Sequence, residues 1–313
     1  MKQVFQRANP RKTGHQAVLA VLTSPDNLQI RRAHPDDKTV ILGFCQHTWE
    51  DEADYIPDVW DLWINDPLGH ILVAVLDNQP VGMTRLVQLS PTEGWWEGLR
   101  VDRNYRQQGI GSLLCQAAID TAQSLGLSTL RTCVSVKNTL MQTFVQHRGF
   151  IPQGDHAVYQ ADAIAQAPSS LQALSSSDLD TIWATIPHLA IDNSRLLFVP
   201  KGAKWQALTQ NALAQLLTKG WVWGLVQGNA INSLFIRSQM EDPDGTFWIG
   251  WLGGTSAALK PTLEGMRCLA HQQGFKAIGG FVPQVAPLLD LMHENGYQFA
   301  DTAAYRVYEL NSL

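Results

Sequence analysis

The 313-residue sequence predicts an α/β (α+β) protein of two tandem units, each a mixed, mostly antiparallel twisted sheet flanked by helices. Three observations predict it. Short apolar runs with strand alternation recur between segments whose apolar residues return at helical spacing. Residues 95–114, WWEGLRVDRNYRQQGIGSLL, read as a strand, a tight turn and the opening of a helix. Finally, the pattern of the first half returns in the second.

In order, Leu28 to Arg32 suits a short strand, and Pro35-Asp36-Asp37 caps a helix running to about Thr48. Residues 49–63 are acidic and aromatic at once, either a solvated segment packed by its tryptophans or a pocket that attracts an ammonium group. Residues 69–77 and 80–89 form a hairpin about Asn78-Gln79. After the 95–114 stretch come a strand over 128–136, a short helix over 139–147, and two closing strands over 150–153 and 157–161. These elements make a first unit of residues 28–161, preceded by a basic leader over 1–27 that carries Lys2, Arg7, Arg11 and Lys12. Residues 162–177, rich in Ala, Ser and Gln, read as a linker. Beyond them, residues 178–313 repeat the pattern. Trp248 follows Trp96 by 152 residues, Gly274 follows Gly126 by 148, and Gly296 follows Gly149 by 147. A slowly drifting separation over a whole domain indicates two copies of one fold.

Composition narrows the function. A net charge of −5 without a basic stripe argues against nucleic acid as partner. No apolar run is long enough to span a bilayer. The four cysteines, Cys45, Cys115, Cys133 and Cys268, have no metal spacing, and the histidines form no ligand pair, so no metal is expected. Buried free thiols imply a reducing compartment, and the cytoplasm is the expected location.

The chemistry lies in the turn of the 95–114 stretch. Gly109-Ile110-Gly111 opens a helix, and glycines there expose main-chain N–H groups with no side chain in the way. With the positive end of the helix dipole, those donors suit a phosphate. The string is neither a dinucleotide fingerprint nor a P-loop. Arg106-Gln107-Gln108-Gly109-Ile110-Gly111, following Leu99-x-Val101, resembles the acyl-CoA pyrophosphate loop of the GNAT superfamily of N-acetyltransferases. Gln29-Ile30-Arg31, Val81-Gly82-Met83, Asn138 and Arg148-Gly149-Phe150 fall in that family's order, so the resemblance spans roughly residues 28 to 161.

The resemblance implies acetyl transfer from acetyl-CoA to an amine, with no metal. It implies that the main chain of Leu99 and Val101 pairs with the pantetheine arm. Amides from Gln107 through Gln108, Gly109, Ile110 and Gly111 to Ser112, with Arg106 beside them, would hold the pyrophosphate, and Asn138 the arm's other side. Glu97 is the expected base, on the strand face shared with Leu99 and Val101. The family's usual tyrosine acid is replaced by Val145, with Tyr105, His147 and Tyr159 as possible substitutes. The second unit is expected to have lost the anion site. In alignment Arg106 meets Gly254, Gly109 meets Ala257 and Gly111 meets Leu259, Pro261 then opens the helix, and Gly253-Gly254-Thr255-Ser256 could form only a small nest. The expected acceptor is a small cationic molecule or a peptide amine. A non-catalytic acyl-CoA sensor is the alternative reading, and a platform built on Trp221, Trp223, Trp248 and Trp251 is a third.

Overall fold

The computed structural model describes residues 27–48, 53–165, 170–191, 196–240, 245–301 and 303–313. All of the expected basic leader except Asn27, and Glu50, Asp51 and Glu52 of the acidic segment, lie outside the described residues.

The first half runs β1 (Leu28–Arg32), α1 (Lys38–Cys45), α2 (Ile56–Ile64), β2 (Gly69–Leu76), β3 (Gln79–Gln88), β4 (Glu93–Val101), α3 (Ile110–Ser124), β5 (Thr129–Ser135), α4 (Thr139–Gln146) and β6 (Ile151–Asp162). The second half runs β7 (Gln172–Ala173), α5 (Leu179–Leu189), β8 (Leu197–Phe198), β9 (Gln206–Ala207), α6 (Gln210–Thr218), β10 (Val222–Gln227) and β11 (Ala230–Arg237). It continues with β12 (Thr246–Gly254), α7 (Ser256–Gln272), β13 (Ala277–Pro283), α8 (Ala286–Glu294), β14 (Gln298–Phe299) and β15 (Tyr305–Asn311). The β2–β3 hairpin turns at Asp77 and Asn78, both at positive φ, as a two-residue turn matched to strand twist requires.

The halves repeat each other in topology. In each, an antiparallel meander ends in a strand that pairs in parallel with the next through a crossover helix: β4 with β5 through α3, and β12 with β13 through α7. In the first half α3 and α4 cover one face, around Ile110, Leu114, Trp96 and Phe150, while α1 and α2 cover the other, around Ile41, Trp60 and Met83. Trp223 and Trp251 of the second half are core residues, and Trp221 and Trp248 are half-buried.

The two sheets are fused. Thirteen strands form one sheet, with the path β1-β2-β3-β4-β5-β15-β6-β13-β12-β11-β10-β7 and β14 beside β6. In place of two closing strands at 150–153 and 157–161, the chain forms one long β6. Its first residues pair with β15, and from His156 onward it pairs with β13. The C-terminal strand β15 runs back into the first half and fills the slot beside β5. Each half thus lends its closing strand to the other, which removes the sheet edge that each would expose alone. Val307 and Tyr308 of β15 are fully buried at this seam. The β8–β9 hairpin makes a second tie by laying Leu197, Val199 and Trp205 against Val87, Trp95 and Val307.

Buried charge fixes the exchanged strand. Arg131 on β5 is 4% exposed and donates to Glu93 of β4 at 2.6 Å and to Glu309 of β15 at 2.7 Å. Ionised groups buried this deeply hold only while all partners are present. Glu309→Ala should therefore cost about 3–5 kcal/mol in urea unfolding. Replacing Arg131, Glu93 and Glu309 together by Met or Leu should cost less than that single change.

Candidate active site

β4 and β5 pair over only three residues, Glu93↔Thr129, Gly94↔Leu130 and Trp95↔Arg131. No pairing of β4 with β5 follows beyond Trp95 among the described residues. β5 instead continues along β15 to Ser135, while β4 follows β3 to Val101. The two strands therefore part, and a wedge opens between them with the N-terminus of α3 at its wide end. Asp102 N–H donates to Val81 on the β3 side, so the amides of Leu99 and Val101 alternate toward the wedge. Their carbonyls accept from the side chains of Arg100 at 3.0 Å and Arg106 at 3.1 Å.

Gly98 bends β4 where the wedge begins. Its φ is +71°, and a Cβ there would stand 2.9 Å from the ring of Trp63, so only glycine fits. The β3–β4 register shifts between Met83 and Arg85, opposite this point, as a bulge requires. The bulge also corrects one expectation. Leu99 and Val101 pack toward α3, whereas Glu97 lies on the opposite face with Arg85 and Trp63. Strict alternation would have placed all three together, and the extra residue reverses the face.

The loop after β4 presents main-chain amides at the mouth of α3. Asp102 accepts from Asn104 N at 2.9 Å and closes a short turn over Arg103–Tyr105. Arg106, Gln107 and Gln108 are exposed, and Gln107 takes φ +63°. Gly109, left-handed at φ +80°, is the N-cap of α3 and supplies no side chain to cap it. Ile110 anchors the helix in the core, while the amides of Ile110 and Gly111 have no acceptor within the helix. Ser112 N donates to Gly109 O at 2.9 Å. A Cβ at Gly111 would meet the side chains of Leu99 and Val101 at 3.8 and 3.9 Å, ordinary contact distances, so the packing of β4 against this first turn would accommodate a side chain. Asn138 caps α4, its Oδ1 accepting from Met141 N at 3.0 Å, and is half-buried at the far side of the wedge.

Glu97 is 12% exposed at the side chain, and both its oxygens meet cations. Arg85 donates to Oε1, and Lys204 Nζ lies 2.9 Å from Oε2. Arg85, 3% exposed, also pairs with Asp66 and lies 4.7 Å over the Trp63 ring. Asp54 and Arg100 form a second buried pair, at 2.7 and 3.0 Å, beneath the ring of Tyr55. Burial opposes the charge on Asp54, yet its hydrogen bonds and Coulomb attraction to Arg100 prevail and hold the carboxyl below its ordinary range. Burial pushes the Cys133 thiol up to about 12, with Glu97 adding to the rise and Lys204 opposing it, so the thiol stays neutral.

Of the two readings of the acidic and aromatic segment, a solvated segment or a pocket for an ammonium, the described residues show Asp54 neutralised by Arg100 and Asp61 paired with Lys38, while Asp58 is exposed. Of the possible acids, Tyr159 is buried in the core of the second half, His147 is exposed at the end of α4, and Tyr105 packs against the core beneath α3. Val145 is itself fully buried. Lys204 and Arg85 carried no local motif. Lys204 reaches Glu97 from the β8–β9 hairpin of the other half, a juxtaposition that no spacing along the chain reports.

In the second half the anion loop is deleted outright. Eight residues separate β4 from α3, but only Thr255 separates β12 from α7. α7 begins at Ser256, so Pro261 lies inside the helix and does not open it. The expected Gly253–Ser256 nest is absent as well. Gly253 and Gly254 are strand residues, and a Cβ on Gly253 would meet Leu189 O at 2.5 Å. The corresponding wedge is filled by Tyr159, Leu252, Met266 and Tyr297, which leave a cavity of about 10 Å³.

The family model described as the Acetyltransferase (GNAT) family matches residues 29–150. That stretch holds the wedge and the glycine loop, and over it the chain is similar to the GNAT acetyltransferases, a family that uses acetyl-CoA. A GCN5-related N-acetyltransferase from Sphaerobacter thermophilus superposes with a TM-score of 0.60 at 17% identity, covering 92% of this chain and 97% of the other. A GCN5-related glucosamine N-acetyltransferase region from a fungal multi-domain GH3 β-N-acetylglucosaminidase gives 0.58 at 13% identity, covering 92% of this chain and 38% of the other. At these identities the likeness is one of fold. No curated protein matches the chain. Among the described residues, no group of three or more His, Cys, Asp or Glu is placed to hold a metal ion, and no helix is long and apolar enough to cross a membrane.

Two measurements test the site. Gly111→Asp should preserve stability, since an acid in a first helical turn is favourable, yet weaken acetyl-CoA binding at least tenfold by calorimetry. For Asp54, the folded carboxyl titrates below the unfolded value of about 3.9. Its contribution is therefore present above that pH and lost as pH falls through the folded value. Asp54→Asn should lower stability at neutral pH by about 3–5 kcal/mol and flatten the loss of stability below about pH 4 in urea titrations.

Proposed function

We propose that the protein transfers an acetyl group from acetyl-CoA to an amine, on a small cationic molecule or a peptide, in the cytoplasm. The working site lies in the unit of residues 28–161. The unit of residues 178–313, joined by the 162–177 linker, has lost its own cofactor loop and shapes the first. One observation carries the reading: an open, glycine-lined helix N-terminus and a freed β4 edge converge on one wedge, with a carboxylate at its narrow end.

The residues present suit the cofactor. The amides from Gln107 to Ser112 and the side chain of Arg106 would hold the diphosphate, the main chain of Leu99 and Val101 the pantetheine arm, and Asn138 its other side. When bound, acetyl-CoA supplies a thioester whose carbonyl carbon accepts the amine and whose thiolate departs. Glu97 takes the ammonium proton, directly or through one water, and so leaves the nitrogen lone pair free. Arg85 fixes the Glu97 carboxylate through Oε1, and Oε2, paired with Lys204 at rest, meets the acceptor once Lys204 gives way. With Val145 in the core, no side chain at that position protonates the sulfur, and a thiol pKa of about 8.5 makes the thiolate a tolerable leaving group without it.

Burial of Val145 favours a second reading, a protein that binds acyl-CoA without turnover. Thiol release in the presence of an amine panel separates the two. For the enzyme, Glu97→Gln should slow turnover by about 10²–10⁴-fold and leave acetyl-CoA affinity unchanged. An unchanged rate removes Glu97 as the base, and binding with no thiol release from any amine favours the sensor.

A further inference from the structure

Around Glu97 the charges are balanced. Arg85, Arg100 and Lys204 face Asp54, Asp66 and Glu97, three cations to three carboxylates, with the aromatic rings of Tyr55 and Trp63 alongside. Arg85 and Arg100 are buried and tied to Asp66 and Asp54. Lys204 is different. Its side chain is 23% exposed, and it pairs with Glu97 at 2.9 Å. Its position is nevertheless fixed. Neighbouring Trp205 is 1% exposed and wedged among Trp95, His156 and Phe281 at ring distances of 5.9, 5.3 and 4.8 Å. The ammonium of Lys204 thus occupies the oxygen of Glu97 that an acceptor ammonium needs.

An acceptor that reaches Glu97 must displace Lys204. A simple amine would add a positive charge to a balanced, half-buried cluster and leave Lys204 without its carboxylate, which is costly away from bulk water. A molecule that carries both an ammonium and a nearby carboxylate avoids both costs. Its ammonium replaces Lys204 on Glu97, and its carboxylate replaces Glu97 on Lys204. The flexible four-carbon stem of lysine permits the short retreat this needs. Resting on the acetyl-transfer reading, we infer that the acceptor is a zwitterion of the α-amino-acid kind, admitted by partner exchange with the Glu97–Lys204 pair. The reaction forms an amide bond from the α-nitrogen to the acetyl carbonyl carbon and breaks the carbon–sulfur bond; of the two protons the ammonium loses, the first passes to Glu97 and the second, shed as the adduct collapses, goes through water to the departing thiolate. Lys204 acts as a specificity residue contributed by the second half of the chain.

The test compares kcat/KM for L-phenylalanine, L-methionine and L-alanine with that for their carboxamides, in the full-length protein and in Lys204→Met, with acetyl-CoA binding measured in parallel by calorimetry. The acids should be preferred at least tenfold, about 1.4 kcal/mol, for at least one of the three pairs. In Lys204→Met that ratio should fall to near one through loss of activity on the acid, with acetyl-CoA affinity unchanged. Carboxamides acetylated as well as the acids, or a preference that survives Lys204→Met, overturn the inference while acetyl transfer stands. Acetyl-CoA bound with none of the six compounds acetylated overturns it too. Failure to bind acetyl-CoA at all removes the acetyl-transfer reading, and the inference with it.

Discussion

The structure depends on one buried charge cluster, Arg131 with Glu93 and Glu309. It stands where β4 and β5 make their last paired contact, Trp95↔Arg131, and it binds both strands to β15. Above it the strands part. A parallel pair left to itself would continue to zip, closing the space that an added strand-like ligand could fill. Here β15 holds β5 along its far edge and the Gly98 bulge turns β4 away, so the two strands are held apart by packing on both sides. The glycines at the mouth of α3 stand at the wide end of that wedge.

The second half serves the first. It has kept the meander, the parallel crossover and the helices, but its β12–α7 connection is a single residue and its wedge is filled with side chains. Its last strand completes the other sheet, and its β8–β9 hairpin delivers Trp205 and Lys204 to the far face. Loss of a cofactor loop in one copy removes the need for an open wedge there. Filling it with Tyr159, Leu252, Met266 and Tyr297 then adds buried apolar surface, which stabilises the pair. The two copies thus differ in structure, one keeping an open glycine turn beside a wedge and the other a filled wedge and a strand lent to its neighbour.

Charge near Glu97 is handled in the same way. The aromatic and acidic segment before α2 resembles a trap for cations when its residues are taken singly. In the folded protein the carboxylate of Asp54 is spent on Arg100, and the rings of Tyr55 and Trp63 lie against Arg100 and Arg85. Beside them stands the Glu97–Lys204 ion pair, partly open to solvent through Lys204.

The sequence by itself determined the local chemistry: the glycine turn at a helix mouth, the strand before it, the repeat of one fold, and a core position where an acid was expected at Val145. These follow from backbone freedom, helical and strand periodicity, and hydrophobic spacing, all of which act over a few residues. Only the tertiary structure decided which face of β4 carries Glu97, because a single left-handed residue at Gly98 reverses the alternation. Tertiary structure also decided that β15 closes the first sheet and that Lys204 stands beside Glu97, since pairing across hundreds of residues is set by which edges and charges must be buried together. The glycine turn at the mouth of α3 was legible because it is made by neighbours in the chain. The face opposite was not, because it is made by residues that only the fold brings together.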